Sequence, residues 1–142
     1  MGALNDLRPA ARILLAAGAL LCAAPAHAAL TFLWPRNNSV VRESVNVAVD
    51  AASVPADAYV TFHLNDVFMV AVGTPGTVSG GRKAFVWLWD TREPVNLGAP
   101  NDPPRRPEDG QYQIRAQAVT GDGRVVDSGT VTVRLANRVT SV

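Results

Sequence analysis

The sequence predicts an all-β protein, a sandwich of two sheets with about seven antiparallel strands. Alternating apolar and polar residues recur from residue 30 to residue 135, and turn residues separate these runs. Beyond residue 28 no stretch shows a convincing helical period. Strands with one apolar face must bury that face against another layer, so the expected architecture is two packed sheets around one core.

Each predicted strand is a short run bounded by Pro, Gly, Asn or Asp. The predicted strands span residues 30–34, 45–49, 60–64, 67–72, 85–89, 111–118 and 130–135. Most of them alternate, but 67–72 is apolar at every position, so its faces cannot be assigned from the period. In 85–89 both faces are apolar. Only one face can pack into the core, so Val86 and Leu88 on the other face are expected to be covered by another segment or by a partner.

Two predicted connections are longer than the others. Residues 73–83 form a Gly-rich loop, and residues 91–109 contain five prolines, too many for regular structure. At about 19 residues the second connection is far longer than the usual 2 to 5 of a hairpin loop. Long ordered loops in compact domains often carry function, so residues 91–109 are a candidate binding segment.

The N-terminus has the pattern of a cleaved export signal. Arg8 and Arg12 precede an apolar run over residues 13–24, and Ala26-His27-Ala28 offers small residues where a signal peptidase reads. The mature chain is expected to start at Ala29, with cleavage after Ala26 as the alternative. The apolar run is shorter than the roughly 20 residues of a spanning helix, so no stable membrane anchor is expected.

The expected location is therefore the periplasm, the extracellular space or the cell surface. The only cysteine, Cys22, lies in the apolar run after Leu21, which does not fit a lipoprotein signal, and the mature chain has no disulfide. Two of the 13 basic and one of the 12 acidic side chains precede residue 29, which leaves 11 of each. A neutral domain lacks the basic field that nucleic acids attract, so that partner class is not expected.

The length suits one domain. We assign residues 1–28 to the signal peptide, 29–137 to the β-sandwich and 138–142 to a short C-terminal tail.

Several motifs in this order resemble the bacterial immunoglobulin-like domains of secreted and cell-surface proteins. The resemblance covers nearly the whole mature chain and is carried by Trp89-Asp90-Thr91, Asp109-Gly110-Gln111-Tyr112 and the closing Val131, Val133 and Asn137. It implies an immunoglobulin-like β-sandwich in which Trp89 fills the space between the sheets. Tyr112 resembles a tyrosine corner, and Asp90 and Thr91 are expected to cap the turn after their strand by bonding backbone amides.

The sequence offers little for catalysis. Beyond residue 28 it has one histidine, His63, and no cysteine, so neither a catalytic triad nor a thiol mechanism can be assembled. Carboxylates do cluster near the long loop, at Asp90, Glu93, Asp102, Glu108 and Asp109, but Arg92, Arg105 and Arg106 lie among them. A solvated mixed-charge loop is favoured over a calcium site. We predict no enzyme, no cofactor and no metal.

Seven residues are the candidate binding positions. They are Trp34, Val86, Leu88, Arg92, Asp102, Arg105 and Arg106. Trp34 precedes a proline at a strand end and is the tryptophan expected to be exposed, whereas Trp87 and Trp89 are expected to be buried. In immunoglobulin order the loop after Asp90 lies at the same end as Trp34 to Arg36 and the Asn65-Asp66 turn, and the 73–83 loop lies at the opposite end with 50–58 and 120–124.

Three functional hypotheses remain open from the sequence. The first is a non-catalytic exported module that binds or assembles with a protein partner, through loop ends or a sheet edge. The second is a small carbohydrate-binding module that recognises a polysaccharide through Trp34. The third is a structural subunit of a surface fibre.

Overall fold

The computed structural model describes residues 29–138. The predicted signal peptide, its cleavage site and residues 139–142 of the predicted tail lie outside the described residues. Within the described part, no helix has both the length and the apolar character needed to cross a membrane.

The chain forms two sheets that pack face to face. The strands are β1 (Phe32–Trp34), β2 (Ser39–Val41), β3 (Ser44–Asp50), β4 (Ala58–Leu64), β5 (Val67–Val72), β6 (Gly76–Thr77), β7 (Lys83–Asp90), β8 (Gly110–Thr120) and β9 (Val125–Leu135). One sheet has four strands in the order β1-β3-β7-β6, and the other has five in the order β2-β9-β8-β4-β5. The immunoglobulin-like β-sandwich predicted from the sequence is confirmed.

The nine strands include two that the sequence did not predict, β2 and β6, and one pairing is parallel. After the turn at Arg36–Ser39, in which Ser39 N–H donates to the carbonyl of Arg36 at 3.1 Å, the chain crosses to the other sheet. There β2 pairs in parallel with β9, Val41 opposite Leu135. Asn37 Oδ1 accepts from Thr132 N–H at 2.8 Å, which holds the crossing against β9. The seven predicted strands pair with one another only antiparallel, and the parallel pairing involves β2, which the sequence did not predict.

The core lies between the sheets and is built from the inward row of each strand. Its largest fully buried aliphatic and aromatic side chains include Phe62, Leu64, Ile114 and Leu135. Trp89 is buried, as predicted, and its ring lies 5.7 Å from Trp87 and 6.2 Å from Tyr112. Trp87 is only half-buried, because it packs at the margin of the core against Phe62.

The motif residues hold the end of the sandwich where the long loop begins. Tyr112 Oη donates to the carbonyl of Glu108 at 2.6 Å, so the predicted tyrosine corner is confirmed. Asp90 Oδ1 accepts from Arg92 N–H at 3.0 Å, so its predicted cap is confirmed too. Thr91 does not cap this turn: it is fully buried, and its hydroxyl donates to the carbonyl of Glu43 at 2.7 Å.

The predicted arrangement of the two ends is correct except for Trp34. The 73–83 connection lies with residues 50–58, as the 2.6 Å ion pair between Arg82 and Asp50 shows. The Asn65-Asp66 turn lies at the opposite end, where Asn65 bonds the backbone of Gln113. Trp34 pairs with Ala48, in the middle of β3, because β1 stops there and the chain changes sheet. Trp34 is therefore on the flank of the sandwich, away from the 91–109 loop.

Candidate functional site

Within residues 29–138, a groove with a cavity volume of about 950 Å³ lies on the outer face of the four-stranded sheet, beside β2. We call it the outer groove. Its lining includes Trp34 from β1, Val40 from β2, Asn46 and Ala48 from β3, Val78 from the β6–β7 connection and Val86 from β7. It thus brings together two of the candidate residues, Trp34 and Val86, which are 52 positions apart in the sequence.

Strand pairing places these side chains. Ala48 lies opposite Trp34 on β1 and opposite Val86 on β7, so the three form a row across the sheet. Ala48 alternates with the core residues Val47 and Val49 and therefore belongs to the outer face, yet it is fully buried. A small side chain flanked by two larger ones makes Ala48 the floor of the groove.

The groove is apolar with polar positions along it. Trp34 and Val40 are 39% and 64% exposed, and Leu88, two residues beyond Val86 on the same strand face, is 62% exposed. Leu88 does not line the groove, but it extends the apolar surface beside it. The outer face of β7 is therefore only partly covered within residues 29–138: Ala84 is buried, Val86 is half-buried and Leu88 is exposed. Large exposed apolar groups that adjoin a cavity are typical of binding surfaces.

The polar lining consists of hydroxyl and amide side chains and one cation. These groups are Ser39, Ser44, Asn46, Thr77, Ser79 and Arg42. No carboxylate is among the lining residues. The outer groove can therefore offer hydrogen bonds and one positive charge together with an apolar surface.

The other four candidates, Arg92, Asp102, Arg105 and Arg106, lie elsewhere. They belong to the 91–109 loop at the end of the sandwich, and the two cavities there share no lining residue with the outer groove. The smaller of them, about 260 Å³, is lined by Asp102, Arg105 and Arg106 among others, and the larger, about 420 Å³, by Arg92 and Arg106. The candidate residues therefore form two separate surfaces.

The 91–109 loop is ordered by its own hydrogen bonds. Val95 and Arg105 exchange two backbone bonds of 2.9 and 3.1 Å, which make a short bridge across it. At its tip Asp102 Oδ2 accepts from Ala99 N–H at 3.0 Å, and Asn96 Oδ1 accepts from Gly98 N–H at 2.9 Å. Asp102 therefore serves the shape of the loop.

The arginines of the loop are partly engaged as well. Arg92 Nε lies 3.2 Å from Asp90 Oδ1, and Arg106 Nε donates to the carbonyl of Arg92 at 3.1 Å. Backbone and side-chain hydrogen bonds from Arg92 hold the pKa of Asp90 below its usual value. Internal pairing of this kind weakens the case for the loop as a ligand site.

Within residues 29–138 no three His, Cys, Asp or Glu side chains are grouped as a metal site would need. Burial, and secondly the charge of Arg115, lowers the pKa of His63, and its ring contacts Thr61 Oγ1 at 3.1 Å and packs edge-on against Phe68. His63 is accordingly a neutral packed side chain at pH 7.

Sequence reasoning singled out only Trp34 and Val86 of the groove lining, and Val40, Arg42, Ala48 and Val78 are among the residues that it missed. One signal for Val40 was available: in the apolar pair Val40-Val41 a strand can bury only one member, and Val41 is the buried one. The positions of Arg42, Ala48 and Val78 in the groove depend on the change of sheet after Trp34, which the pattern did not show.

Fold and groove together define an immunoglobulin-like β-sandwich with an open apolar cleft on one outer face. Comparison with solved structures agrees with that class. The fibronectin(III)-like modules of Clostridium thermocellum CbhA match with a TM-score of 0.51 and 17% sequence identity, over 78% of this chain and 98% of that one. This likeness shows the fold.

Two further matches have lower TM-scores. CopC from Methylosinus trichosporium OB3b matches with a TM-score of 0.38 and 12% identity over 80% of this chain and 99% of that one. An engineered protein matches with a TM-score of 0.45 and 15% identity, over 75% of this chain but only 20% of its own length. No protein-family model matches the sequence, and no curated protein is significantly similar to it.

Proposed function

We propose that this protein is a non-catalytic, exported immunoglobulin-like module that binds a protein partner in the outer groove. The observation that carries the proposal is the row Trp34–Ala48–Val86, an apolar strip that opens to solvent beside Val40 and Leu88. The N-terminal signal pattern supports export. The groove lining includes hydroxyl groups but no His, Cys, Asp or Glu side chain that could activate them, which supports a binding role.

The groove favours an apolar anchor with hydrogen bonds around it. Burying exposed apolar surface contributes about 25 cal/mol per Å², and binding energy concentrates in a few central, desolvated side chains. Trp34 is the largest side chain that lines the groove, and its 39% exposure leaves part of the ring free for a partner to cover.

Site-specific photo-crosslinking in the native host tests this proposal. A photoreactive residue at position 40 is expected to capture one defined partner, and Val86→Asp is expected to abolish the capture. The same photoreactive residue at Thr130, exposed on β9 and absent from the groove lining, is the control and should not capture that partner. Equal capture from positions 40 and 130, or capture that survives Val86→Asp, would contradict the assignment.

A second candidate, a carbohydrate ligand, is favoured by one specific feature of the groove. Trp34 is partly exposed next to the hydroxyl and amide groups of Ser39, Asn46 and Thr77. Sugar rings stack on an aromatic face, and their hydroxyl groups form hydrogen bonds with hydroxyl and amide side chains. The same groove therefore suits a short polysaccharide segment.

Tryptophan fluorescence separates the two candidates. A polysaccharide ligand should change the emission of the native protein, and Trp34→Phe should remove the change although Trp87 and Trp89 still emit. An unchanged spectrum across a panel of bacterial and plant polysaccharides excludes the carbohydrate ligand and leaves the protein partner.

A further inference from the structure

The five-stranded sheet ends in an unusual edge strand, β5. It has six residues, whereas the other edge strands β1, β2 and β6 have three, three and two. Within residues 29–138, no hydrogen bond outside the β4–β5 pairing involves the backbone of Val67–Val72. One side of β5 therefore presents a row of free N–H and C=O groups.

β5 lacks three of the features that usually protect an edge from pairing, and the bulge at Met69 is the one such feature that it has. Natural edge strands are usually blunted by charged residues, Pro or very short length, but Val67–Val72 is uncharged and apolar throughout. Phe68 is 56% exposed on its outer face. Such a strand is expected to acquire a neighbour.

The burial pattern of β5 indicates what that neighbour is. Along Val67–Val72 the side chains are half-buried, exposed, half-buried, half-buried, exposed and half-buried, a pattern that reads the same in both directions. A β-bulge causes this symmetry: Phe62 pairs with Val70 and His63 with Phe68, so Met69 is the extra residue and the alternation reverses there.

We propose that two copies of the chain pair antiparallel through β5 and join their five-stranded sheets into one of ten strands. In the register that places Val67 opposite Val72, Phe68 faces Ala71 and Met69 faces Val70 across a two-fold axis. Every residue then meets one on the same face of the sheet. A shift of one residue in either direction sets exposed positions against half-buried ones.

Size and charge in this register also fit a second copy. The large, exposed Phe68 meets the small, exposed Ala71, so the outer face closes without two bulky groups in collision. The charge at the start of the strand, Asp66, is paired with Arg115 of its own chain and would face the uncharged segment after Val72 of the other copy. No like charges are brought together.

The pairing closes on itself. A two-fold contact uses the same edge in both copies, so no free β5 edge remains, and the opposite edge of the sheet is the three-residue β2. The expected assembly is a dimer and not a filament. It also leaves the outer groove, which lies on the other sheet, open in both copies.

The native mass of the full chain tests the proposal. Light scattering after size exclusion should give twice the 15.0 kDa mass of the chain. Ala71→Lys, which places a charge against Phe68 of the other copy, should give the monomer mass, while its circular dichroism spectrum stays that of a folded β-sandwich and its melting temperature falls because the dimer no longer stabilises the folded state. Val125→Lys is the control, because Val125 is an exposed residue on β9, away from the β5 edge, and this variant should remain dimeric. A monomeric native protein, or a dimer that Ala71→Lys leaves intact, overturns the proposal.

Disulfide trapping tests the register. In a chain with Cys22→Ser, the double variant Phe68→Cys/Ala71→Cys should form covalent dimers under mild oxidation, because positions 68 and 71 of different copies face each other. The matched double variant Phe68→Cys/Val125→Cys should not. Equal cross-linking of both variants, or none in the first, would contradict the proposed register. These outcomes do not depend on any ligand of the outer groove.

Discussion

The hydroxyl of Thr91 donates a 2.7 Å hydrogen bond to the carbonyl oxygen of Glu43. The same carbonyl accepts from Thr91 N–H at 2.9 Å, and Asn137 Nδ2 donates to Thr91 Oγ1 at 2.9 Å. Asn137 Oδ1 in turn accepts from Glu43 N–H at 2.8 Å. These three residues tie the start of the 91–109 loop to the turn before β3 and to the end of β9.

Replacing Thr91 by valine should destabilise the fold. Valine keeps the shape but leaves Asn137 Nδ2 without its acceptor in a site where position 91 is fully buried. An unsatisfied buried polar group costs about 1–3 kcal/mol, and we expect a loss of that size in the free energy of unfolding, measured by urea denaturation. Thr130→Val, at an exposed position, is the control and should change it by less than about 0.5 kcal/mol.

The hydroxyl of Tyr112 should hold the end of the 91–109 loop. Tyr112→Phe removes the bond to the carbonyl of Glu108 and should lower the free energy of unfolding by about 0.5–1.5 kcal/mol. Amide hydrogen exchange should rise in residues 105–110 and stay unchanged in β3 and β4. Tyr59→Phe, in which no described hydrogen bond is lost, is the control, and equal effects of the two changes would contradict the role given to Tyr112.

Gly129 should tolerate no larger side chain. A Cβ atom at this position would lie 2.5 Å from the carbonyl oxygen of Leu30, whose N–H bonds the carbonyl of Ser128 at 3.1 Å. Gly129→Ala must push the backbone at Leu30 away from β9. Overpacking of this kind lowers the free energy of unfolding by about 1–3 kcal/mol. Gly121→Ala is the matched control, because a Cβ there meets nothing within 4 Å. A thermal melt of both variants distinguishes them.

Asp109 should contribute to the acid sensitivity of the protein. Its carboxylate accepts from the backbone N–H of Arg138 and of Asn137, each at 2.9 Å, and these bonds lower its pKa below the ordinary 3.8. Because the folded-state pKa is the lower one, the stabilisation is complete above pH 3.8 and is lost as the pH falls through the folded-state pKa.

Urea denaturation at several pH values measures this effect. Asp109→Asn keeps one carbonyl acceptor and should be less stable than the native protein at pH 7, with the difference shrinking below pH 3.8. Asp57→Asn, at an exposed turn position with positive φ that asparagine accepts, is the control. A difference that stays constant into the acid range would rule out the assignment to Asp109.

Much of the sandwich could be read from local patterns. Alternation or short apolar runs bounded by turn residues identified seven of the nine strands within residues 29–138. The order of Trp89, Asp90 and Tyr112 indicated the immunoglobulin-like arrangement. The two strands that were missed, β2 and β6, have three and two residues, too few for a period to show. Thr91 was assigned to the wrong hydrogen bond because its acceptor, the carbonyl of Glu43, is 48 residues away.

The site was only half predictable for the same reason. Exposure of Trp34 and the apolar outer face of β7 followed from sequence, since a strand with two apolar faces must show one of them outside the core. Trp34 and Val86 line the same groove, whereas Arg92 and Asp102 lie outside it. This grouping depends on which strands lie next to each other. Pairing between distant segments leaves no mark on either segment alone.

The sequence by itself determined the fold class, the core rows and the tyrosine corner, because each depends on periods and motifs within a few residues. Only the tertiary structure decided where the chain passes from one sheet to the other and that Ala48 lies between Trp34 and Val86 at the bottom of the groove. It alone also showed that β5 is an edge strand whose burial pattern is symmetric along its length. Those features depend on strand order and register, which are set by the simultaneous packing of both sheets around one core.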